Sequence, residues 1–223
     1  MIRVAVAGAG GRMGVATCDA VAGAGDMELT GRADLTTGVT LDEVLPGADV
    51  VVDFTVPDQV LGNAQACLRA GVDLVIGATG FDHDALRRLC AEHPDSRVFV
   101  APNFAIGAVL MMRFAAEAAR HMDAAEIVEY HHPAKLDAPS GTARRTADMM
   151  ADSSGLEVPI HSVRLPGVVA DQDVILGARA QTLTLRHVTT DRTSFMPGVL
   201  LAIREVAGLA ESPTIGLERL LWP

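Results

Sequence analysis

IRVAVAGAGGRMG, residues 2–14, is the stretch most informative about the fold of this 223-residue chain. Its first six residues form an apolar run that is typical of a strand buried on both faces of a sheet. Glycines follow at positions 8, 10, 11 and 14, where a helical pattern begins. Glycine in such a turn allows a tight bend, close approach of the backbone to a pyrophosphate, and close packing of helix on strand. The stretch therefore predicts a dinucleotide-binding turn.

The spacing of these glycines is G-x-x-G-x-x-G, because Met13 occupies the third slot of G-x-G-x-x-G. An ordinary glycine-rich turn without a ligand is the alternative. Asp34 favours the nucleotide, since it lies twenty residues after the last of these glycines, at the end of the second predicted strand. A carboxylate there accepts hydrogen bonds from the adenosine ribose. It also repels a 2′-phosphate and so favours NAD over NADP, whereas the cationic Arg12 acts in the opposite direction.

The first hundred residues alternate predicted strands with predicted helices, which indicates an α/β fold with a doubly wound, Rossmann-like parallel sheet. Strands are expected at residues 2–7, 27–34, 49–55, 72–78 and 96–103, and helices at 10–23, 57–71 and 82–93. Parallel sheets bind ligands outside the carboxyl ends of their strands. The segments 53–55, 77–80 and 101–104 are therefore expected beside the nucleotide, with Phe54 and Phe104 as either cofactor contacts or core residues.

The pattern changes after residue 103, which indicates a smaller α+β domain with a mixed sheet at 104–195. Helices are expected at 105–121 and 142–151, and strands at 124–132, 160–165, 171–177 and 182–188. The last strand, TLTLRHV, alternates polar and apolar residues as a half-exposed antiparallel strand does. The tail is helical again and is expected to pack on the first domain, which then comprises 1–103 and 196–223.

Composition limits the classes of partner. A hydrophobic content of 49% supports a real core, and the formal net charge of −10 argues against a sequence-independent nucleic-acid binder. No apolar run approaches the roughly 20 residues that span a membrane, and the apolar start indicates a strand rather than a signal peptide. The three cysteines are widely spaced, show no zinc-ligand pattern, and fit buried free thiols in a reducing cytoplasm.

A second informative stretch is EYHHPAKLDAPSGTA, residues 129–143. It places three candidate cationic donors, His131, His132 and Lys135, before a Pro-Ser-Gly-Thr turn that opens a helix. A nicotinamide delivers hydride to an electrophilic carbon, and a neighbouring atom then needs a proton. The cations and the backbone amides of the helix start are suited to hold a substrate with two carboxylates.

Each of these residues taken alone has a structural explanation. A histidine at a strand end is usually structural, a loop lysine is usually solvated, and Ser140 can be only a helix cap. Their joint occurrence in a chain with a nucleotide turn favours a functional site. Glu129 shares a strand face with His131 and is a candidate support for it. Asp137 either orients Lys135 or caps the turn.

These motifs resemble those of the dihydrodipicolinate reductase family, also called 4-hydroxy-tetrahydrodipicolinate reductase, of lysine and diaminopimelate biosynthesis. The most specific motif is H-H-x-x-K-x-D-x-P-S-G-T. The resemblance covers nearly the whole chain through EIVEYHHPAKLDAPSGTA, GAGGRMG, VVDFTVPD, GATGF, APNFAIGAVLMM and RHVTTDRTSFMPGVLLAIR. It implies a cytoplasmic reduction of a cyclic dicarboxylate by NADH or NADPH. It also implies a Rossmann-like domain and a mixed α+β domain that binds the substrate and builds a homotetramer.

The resemblance also implies roles for individual residues. It makes His131 the acid/base and Lys135 the proton donor, with His132, Gly141 and Thr142 as substrate contacts and no metal. The implied cofactor contacts are Gly8, Ala9, Gly10, Gly11, Arg12, Met13, Asp34, Gly77, Ala78, Thr79, Ala101, Pro102, Asn103 and Phe104. The chain departs from the family in two places: the usual Gly-Thr-Thr-Gly is Gly-Ala-Thr-Gly, and the segment 153–159 is shorter than in many relatives.

Two other functions fit part of the pattern. A Rossmann redox sensor or binding module explains the glycine turn and Asp34, but not the His-His-x-x-Lys stretch. A dehydrogenase that acts on another small amino- or imino-dicarboxylate explains both features. Turnover with NADH and the dihydrodipicolinate-type substrate separates the three functions.

Overall fold

The structure, a computed structural model, describes residues 1–222 and divides into two compact units. The first unit is Met1–Phe104 together with the chain from Phe195 onward, and the second unit is Ala105–Ser194. Each unit contains one sheet. None of the helices formed by residues 1–222 combines the length and the apolar composition needed to cross a membrane.

Strands and α-helices account for most of residues 1–222. The strands are β1 (Ile2–Ala7), β2 (Met27–Ala33), β3 (Val50–Asp53), β4 (Asp73–Ile76), β5 (Val98–Val100), β6 (Ala124–His131), β7 (Ile160–Arg164), β8 (Ala170–Ala178), β9 (Gln181–His187) and β10 (Thr214–Ile215). The helices are α1 (Arg12–Gly23), α2 (Leu41–Val44), α3 (Pro57–Arg69), α4 (His83–Glu92), α5 (Ile106–Ala119), α6 (Gly141–Ser154), α7 (Met196–Glu205) and α8 (Glu218–Leu221).

The sheet of the first unit has six strands in the order β10-β5-β4-β3-β1-β2, and all neighbours are parallel. This confirms the predicted doubly wound parallel sheet. β3 is buried along its whole length, and β1 and β4 are buried over all but their first one or two residues. Burial on both faces explains why these strands are apolar runs rather than alternating sequences.

Four strands of this sheet end level with one another at its carboxyl edge. The register pairs Ala7 with Asp53, Asp53 with Ile76, and Ile76 with Val100. The turns that follow β1, β3, β4 and β5 therefore emerge side by side. In an open parallel sheet this edge is where ligands bind.

The sheet of the second unit has four strands in the order β7-β6-β8-β9. β6 is parallel to β7 and antiparallel to β8, and β8 is antiparallel to β9, so the sheet is mixed as predicted. On one face of the sheet, Met111 of α5 and Met150 of α6 belong to a core that includes Ile127, Val174 and Leu176. This core supports the end of β6, where the His-His stretch begins.

The edge strand β9 is more exposed than its sequence indicated. TLTLRHV alternates as an antiparallel strand should, and the antiparallel pairing with β8 is observed. Residues 181–184 are nevertheless all exposed, and Leu183 retains 41% of its accessible surface. An edge strand has a neighbour on one side only, so the expected burial of its apolar face is incomplete.

Candidate active site

The glycine turn after β1 is held by close backbone contacts. Gly8 has a φ of +75°, and a Cβ there would lie 2.8 Å from the backbone oxygen of Phe54. A Cβ on Gly14 would lie 2.0 Å from the backbone oxygen of Gly8. Only glycine fits at these two positions, so the turn packs tightly between β1, α1 and the end of β3, as a dinucleotide-binding turn requires.

The start of α1 offers backbone donors to an anion. Its N-cap is Gly11, so no side chain of the cap bonds the amides of the first turn. Arg12 begins the helix and is exposed. The amides of Gly8 and Ala9, in contrast, both donate to the backbone oxygen of Ala33, at 2.9 and 3.1 Å. A helix start without a side-chain cap suits a pyrophosphate, because the helix dipole also favours negative charge there.

Asp34 lies directly beside this turn. Its Oδ2 accepts the Gly10 amide at 2.7 Å, and its Oδ1 accepts the amide and the hydroxyl of Thr36 at 2.9 and 2.6 Å. Hydrogen bonds from Thr36 and Gly10 hold the pKa of Asp34 below its usual value, so this carboxylate is an ionised acceptor at neutral pH. A Cβ on Gly10 would come within 3.0 Å of the Asp34 carboxylate. Glycine is therefore what lets the turn and the carboxylate share this space.

Phe54 connects three of the strand ends. A Cβ on Gly77 would lie 2.1 Å from the Phe54 ring, so the turn after β4 packs directly on that ring. Phe54 also packs edge-on against Phe104, with ring centroids 5.8 Å apart. Phe104 is only 3% exposed and is a core residue of the first unit. The side chain of Phe104 therefore packs in the core, and its contact with a cofactor stays a prediction.

The other residues expected on these turns differ in accessibility. Ala78 and Ala101 are buried, whereas Thr79 and Pro102 are exposed and Asn103 is half-buried. The resemblance implies a threonine where this chain has Ala78. Because Ala78 is buried, the side chain of such a threonine would be attached at a buried position. Of these five residues, Thr79, Pro102 and Asn103 have accessible side chains.

A buried carboxylate shapes the turn after β3. Asp53 has no exposed surface and accepts the amide and hydroxyl of Thr55 at 2.7 and 2.6 Å. It also accepts the side-chain amide of Asn63 at 2.9 Å. The sequence placed Asp53 at a strand end but gave no signal for Asn63, which reaches it from α3.

In the second unit, Glu129 and His131 lie on the same face of β6, as strand alternation predicted. Nδ1 of His131 lies 2.5 Å from Oε2 of Glu129, whose side chain is fully buried. Burial lowers the pKa of His131 below its usual value, and the charges of Lys135 and Arg164 lower it further, while Glu129 opposes the shift. In the absence of an added anion, His131 is therefore poised toward its neutral form at pH 7.

Lys135 lies in the loop that follows β6. Its Nζ lies 2.8 and 2.9 Å from the two carboxylate oxygens of Asp137, and its side chain is 22% exposed. The hydrogen bond from Lys135 holds the pKa of Asp137 below its usual value. Of the two roles open for Asp137, contact with Lys135 is the one observed. His132, between this lysine and the strand, is half-buried.

The helix α6 begins one residue earlier than expected, at Gly141. Ser140 is its N-cap, and the Ser140 hydroxyl accepts the Ala143 amide at 3.1 Å. Gly141 is exposed, and a Cβ there would meet no protein atom within 4 Å. Thr142 is half-buried in the first helical turn. The space beside Gly141 in the first turn of α6 is therefore open, which suits an anion-binding position.

One charged partner of this cluster was missed by sequence reasoning. Arg164 is the last residue of β7 and is paired in the sheet with His131. Its two terminal nitrogens lie 2.9 and 3.0 Å from the Glu129 carboxylate. An isolated arginine at a strand end gives no signal by itself, because only the parallel pairing of β6 with β7 brings it to this position.

Comparison with known proteins adds a second line of evidence. The family model described as "Dihydrodipicolinate reductase, N-terminus" matches residues 2–104, and "Dihydrodipicolinate reductase, C-terminus" matches residues 107–221. The chain is 48% identical, over an alignment 249 positions long, to the 4-hydroxy-tetrahydrodipicolinate reductase of Cutibacterium acnes, covering 99% of each protein. It is 45% identical to that of Nocardia farcinica, covering 99% of this chain and 98% of the relative.

A solved structure agrees with these matches. The dipicolinate-bound dihydrodipicolinate reductase from Paenisporosarcina sp. TG-14 superposes with a TM-score of 0.85 at 38% identity. The alignment covers 98% of this chain and 99% of that one.

Proposed function

The chain belongs to the dihydrodipicolinate reductase family, and from that premise we propose how its own residues carry the reaction. It is an NAD(P)H-dependent oxidoreductase that converts 4-hydroxy-tetrahydrodipicolinate to tetrahydrodipicolinate in lysine and diaminopimelate biosynthesis. The conversion replaces a ring hydroxyl by hydrogen, so a hydride and a proton enter and water leaves. The bound cofactor supplies the hydride. The protein must therefore bind the cofactor and the dicarboxylate, and it must deliver one proton.

We assign the cofactor to the first unit. The start of α1 holds the pyrophosphate, and Asp34 accepts the adenosine ribose hydroxyls. The support is the contact between Gly10 and Asp34 beside a helix start without a side-chain cap. Residues 35–40, LTTGVT, contain no lysine or arginine to pair with a 2′-phosphate, while Arg12 remains as a nearby cation. Both cofactors are therefore expected to work, with NADH at least as good as NADPH.

Asp34→Ala tests this assignment. Hydrogen bonds to a charged group contribute about 1.5–3 kcal/mol, so we expect NADH to bind about tenfold or more weakly. NADPH should lose less, because repulsion of its 2′-phosphate is removed at the same time. Fluorescence titration of both cofactors measures the two dissociation constants. Equal losses for NADH and NADPH, or a parent enzyme that strongly prefers NADPH, would show that Asp34 does not contact the ribose.

We assign the cyclic dicarboxylate to the loop and helix start of the second unit. Lys135, His131 and His132 supply cationic or polar donors, and Gly141 and Thr142 supply the first turn of α6. One observation supports this assignment. The second unit contains Lys135, the buried Glu129–His131 pair and a helix start with open space beside Gly141. A ligand with two carboxylates is matched by two such anion-binding positions.

Gly141→Val tests the helix start separately from the proton. The added side chain meets no protein atom at Cβ, so it should obstruct a ligand without disturbing the fold. We expect KM for the dicarboxylate to rise at least tenfold while NADH binding stays normal. Gly62→Val on α3 is a matched control, since a Cβ there also meets nothing within 4 Å. A Gly141→Val enzyme that binds pyridine-2,6-dicarboxylate as tightly as the parent would exclude this role.

We assign proton delivery to Lys135. His131 is assigned to keep Lys135 protonated or to return a proton to it after the transfer. Lys135 is the only lysine in a chain whose lysines and arginines together number 18. An arginine binds a carboxylate at least as well but does not release its proton in proteins, whereas a lysine does. A single lysine at this position in an otherwise arginine-based chain supports a role in proton transfer rather than in charge alone.

We further propose that the enzyme is a cytoplasmic homotetramer built through the second unit. Ile175 is 38% exposed on the sheet face opposite α5 and α6, and the edge strand β9 is exposed along residues 181–184. An exposed edge strand and an exposed apolar residue on the open sheet face offer a surface on which a partner chain can pack. The cysteines Cys18, Cys67 and Cys90 are free and buried, which is usual in a reducing compartment. Sedimentation velocity should give a mass near four chains, and a monomer at micromolar concentration would contradict the tetramer.

A further inference from the structure

Arg164 engages every N–H group of its guanidinium. Nη1 and Nη2 donate to the two carboxylate oxygens of Glu129 at 2.9 and 3.0 Å. Nη1 also donates to the backbone oxygen of Val163 at 2.9 Å, and Nη2 to that of Asp137 at 2.7 Å. Nε donates to the backbone oxygen of Lys135 at 3.2 Å. A guanidinium has five donors in a fixed fork, and all five of these donors have acceptors.

Glu129 is equally engaged on its side of the pair. Besides Arg164, it contacts Nδ1 of His131 and accepts the backbone amide of Ser140 at 3.2 Å. Its side chain is fully buried, and that of Arg164 is 21% exposed. The two side chains thus connect the end of β6, the loop that carries Lys135, and the N-cap of α6. These are the three places from which the proposed substrate contacts come.

We propose that Arg164 is a positioning residue for the reduction, which sets the relative placement of His131, Lys135 and the start of α6 through Glu129 and two backbone carbonyls. This inference rests on the proposed function, because it presupposes that His131 and Lys135 act on the substrate. Arg164 does not itself need to touch the substrate.

Two physical reasons make this arrangement specific to arginine. First, the fork supplies five donors to a carboxylate and three backbone oxygens, which the three donors of a lysine ammonium cannot do. Second, Arg164 keeps Glu129 ionised. Burial alone would raise the pKa of Glu129, but hydrogen bonds from Arg164, Ser162 and His131 bring it below its usual value. An ionised Glu129 only accepts, so Nδ1 of His131 carries the proton and the ring orientation is fixed.

The test uses the full-length enzyme with Arg164→Met and Arg164→Lys. A catalytic group misplaced by about 1 Å can cost about 10²-fold in rate, so we expect a loss of that order in kcat for Arg164→Met. Arg164→Lys retains the charge but not the fork and should lose about tenfold. NADH should bind both variants within twofold of the parent. Arg179→Met, an exposed arginine in the turn between β8 and β9, is the control and should keep the parent rate.

A double-mutant cycle separates positioning from general stability. If Arg164 acts through His131, Arg164→Met should cost much less in a His131→Ala background than in the parent, because coupled residues are not additive. Equal losses in both backgrounds, or a kcat within twofold of the parent for Arg164→Met, would overturn the inference. If Arg164→Met does not fold, Arg164→Lys decides by the same cycle.

The outcomes also distinguish this inference from the proposed function. If His131→Ala and Lys135→Ala keep the parent rate, the assignment of those two residues fails, and the positioning role fails with it. If both are slow while the Arg164 variants match the parent, only the positioning role is wrong.

Discussion

Lys135→Ala is expected to lower kcat by about 10²–10⁴-fold, the range that general acid catalysis typically contributes. Loss of water from the 4-hydroxy compound leaves a ring double bond, which the hydride and one proton together saturate. Hydride addition leaves an electron-rich ring atom that must be protonated, and Lys135 is its assigned donor. The side chain lies in a loop, and its contact is with Asp137, which is 56% exposed. Its removal should therefore leave the fold intact, since an ion pair with a solvent-exposed partner contributes only about 0–1 kcal/mol.

The controls for the Lys135→Ala variant use the assignment of the cofactor to the first unit and of the dicarboxylate to the second. NADH titration should give the parent dissociation constant, because the residues assigned to the nucleotide all lie in the first unit. The pH profile of kcat should change, since the donor has been replaced. A Lys135→Ala enzyme with near-parent kcat and an unchanged pH profile would defeat the assignment, and the proton would then come from His131 or from water.

His131→Ala is expected to have the second largest effect, a loss in kcat of about 10²-fold or more. The imidazole lies 2.5 Å from the buried Glu129 carboxylate, so its orientation is fixed before substrate arrives. The carboxylates of a bound substrate favour its protonated form and allow it to poise or reload Lys135. Glu129 retains its bidentate partner Arg164 in this variant, so the buried carboxylate is not left alone.

The chain offers a matched histidine–glutamate pair as the control for this variant. Nε2 of His161 on β7 lies 2.8 Å from Oε2 of Glu126 on β6, but both side chains are more than half exposed. His161→Ala should therefore leave kcat near the parent value. If His161→Ala and His131→Ala lose the same small amount, the rate does not depend on the buried pair, and the role of His131 is wrong.

Much of the first unit could be read from the sequence because its strands are buried on both faces. The buried parts of β1, β3 and β4 are apolar runs, Val4–Ala7, Val50–Val52 and Leu74–Ile76, a pattern typical of a central parallel strand. β10 was missed because it consists of Thr214 and Ile215 alone, too short for any periodic signal. The four-residue helices α2 and α8 were not predicted for the same reason.

The candidate site was predictable where it is local in sequence and not where it depends on pairing. His131, Lys135 and Gly141 lie within eleven residues, so one loop disclosed them. Arg164 is 35 residues from Glu129 and becomes its partner only through the parallel register of β6 and β7. The exposure of β9 could not be predicted from the sequence either. Alternation of polar and apolar residues shows that a strand has two different faces, but not what covers each face.

Lys135→Arg separates donation of the proton by Lys135 from a contribution of its positive charge alone. Arginine keeps the charge and binds carboxylates, but it does not give up its proton. Steady-state oxidation of NADH with 4-hydroxy-tetrahydrodipicolinate measures kcat and KM for the parent and the variant. We expect Lys135→Arg to keep KM within a few-fold of the parent, while kcat stays about as low as in Lys135→Ala. A Lys135→Arg enzyme with the parent kcat would contradict proton donation by Lys135, because the charge alone would then be sufficient.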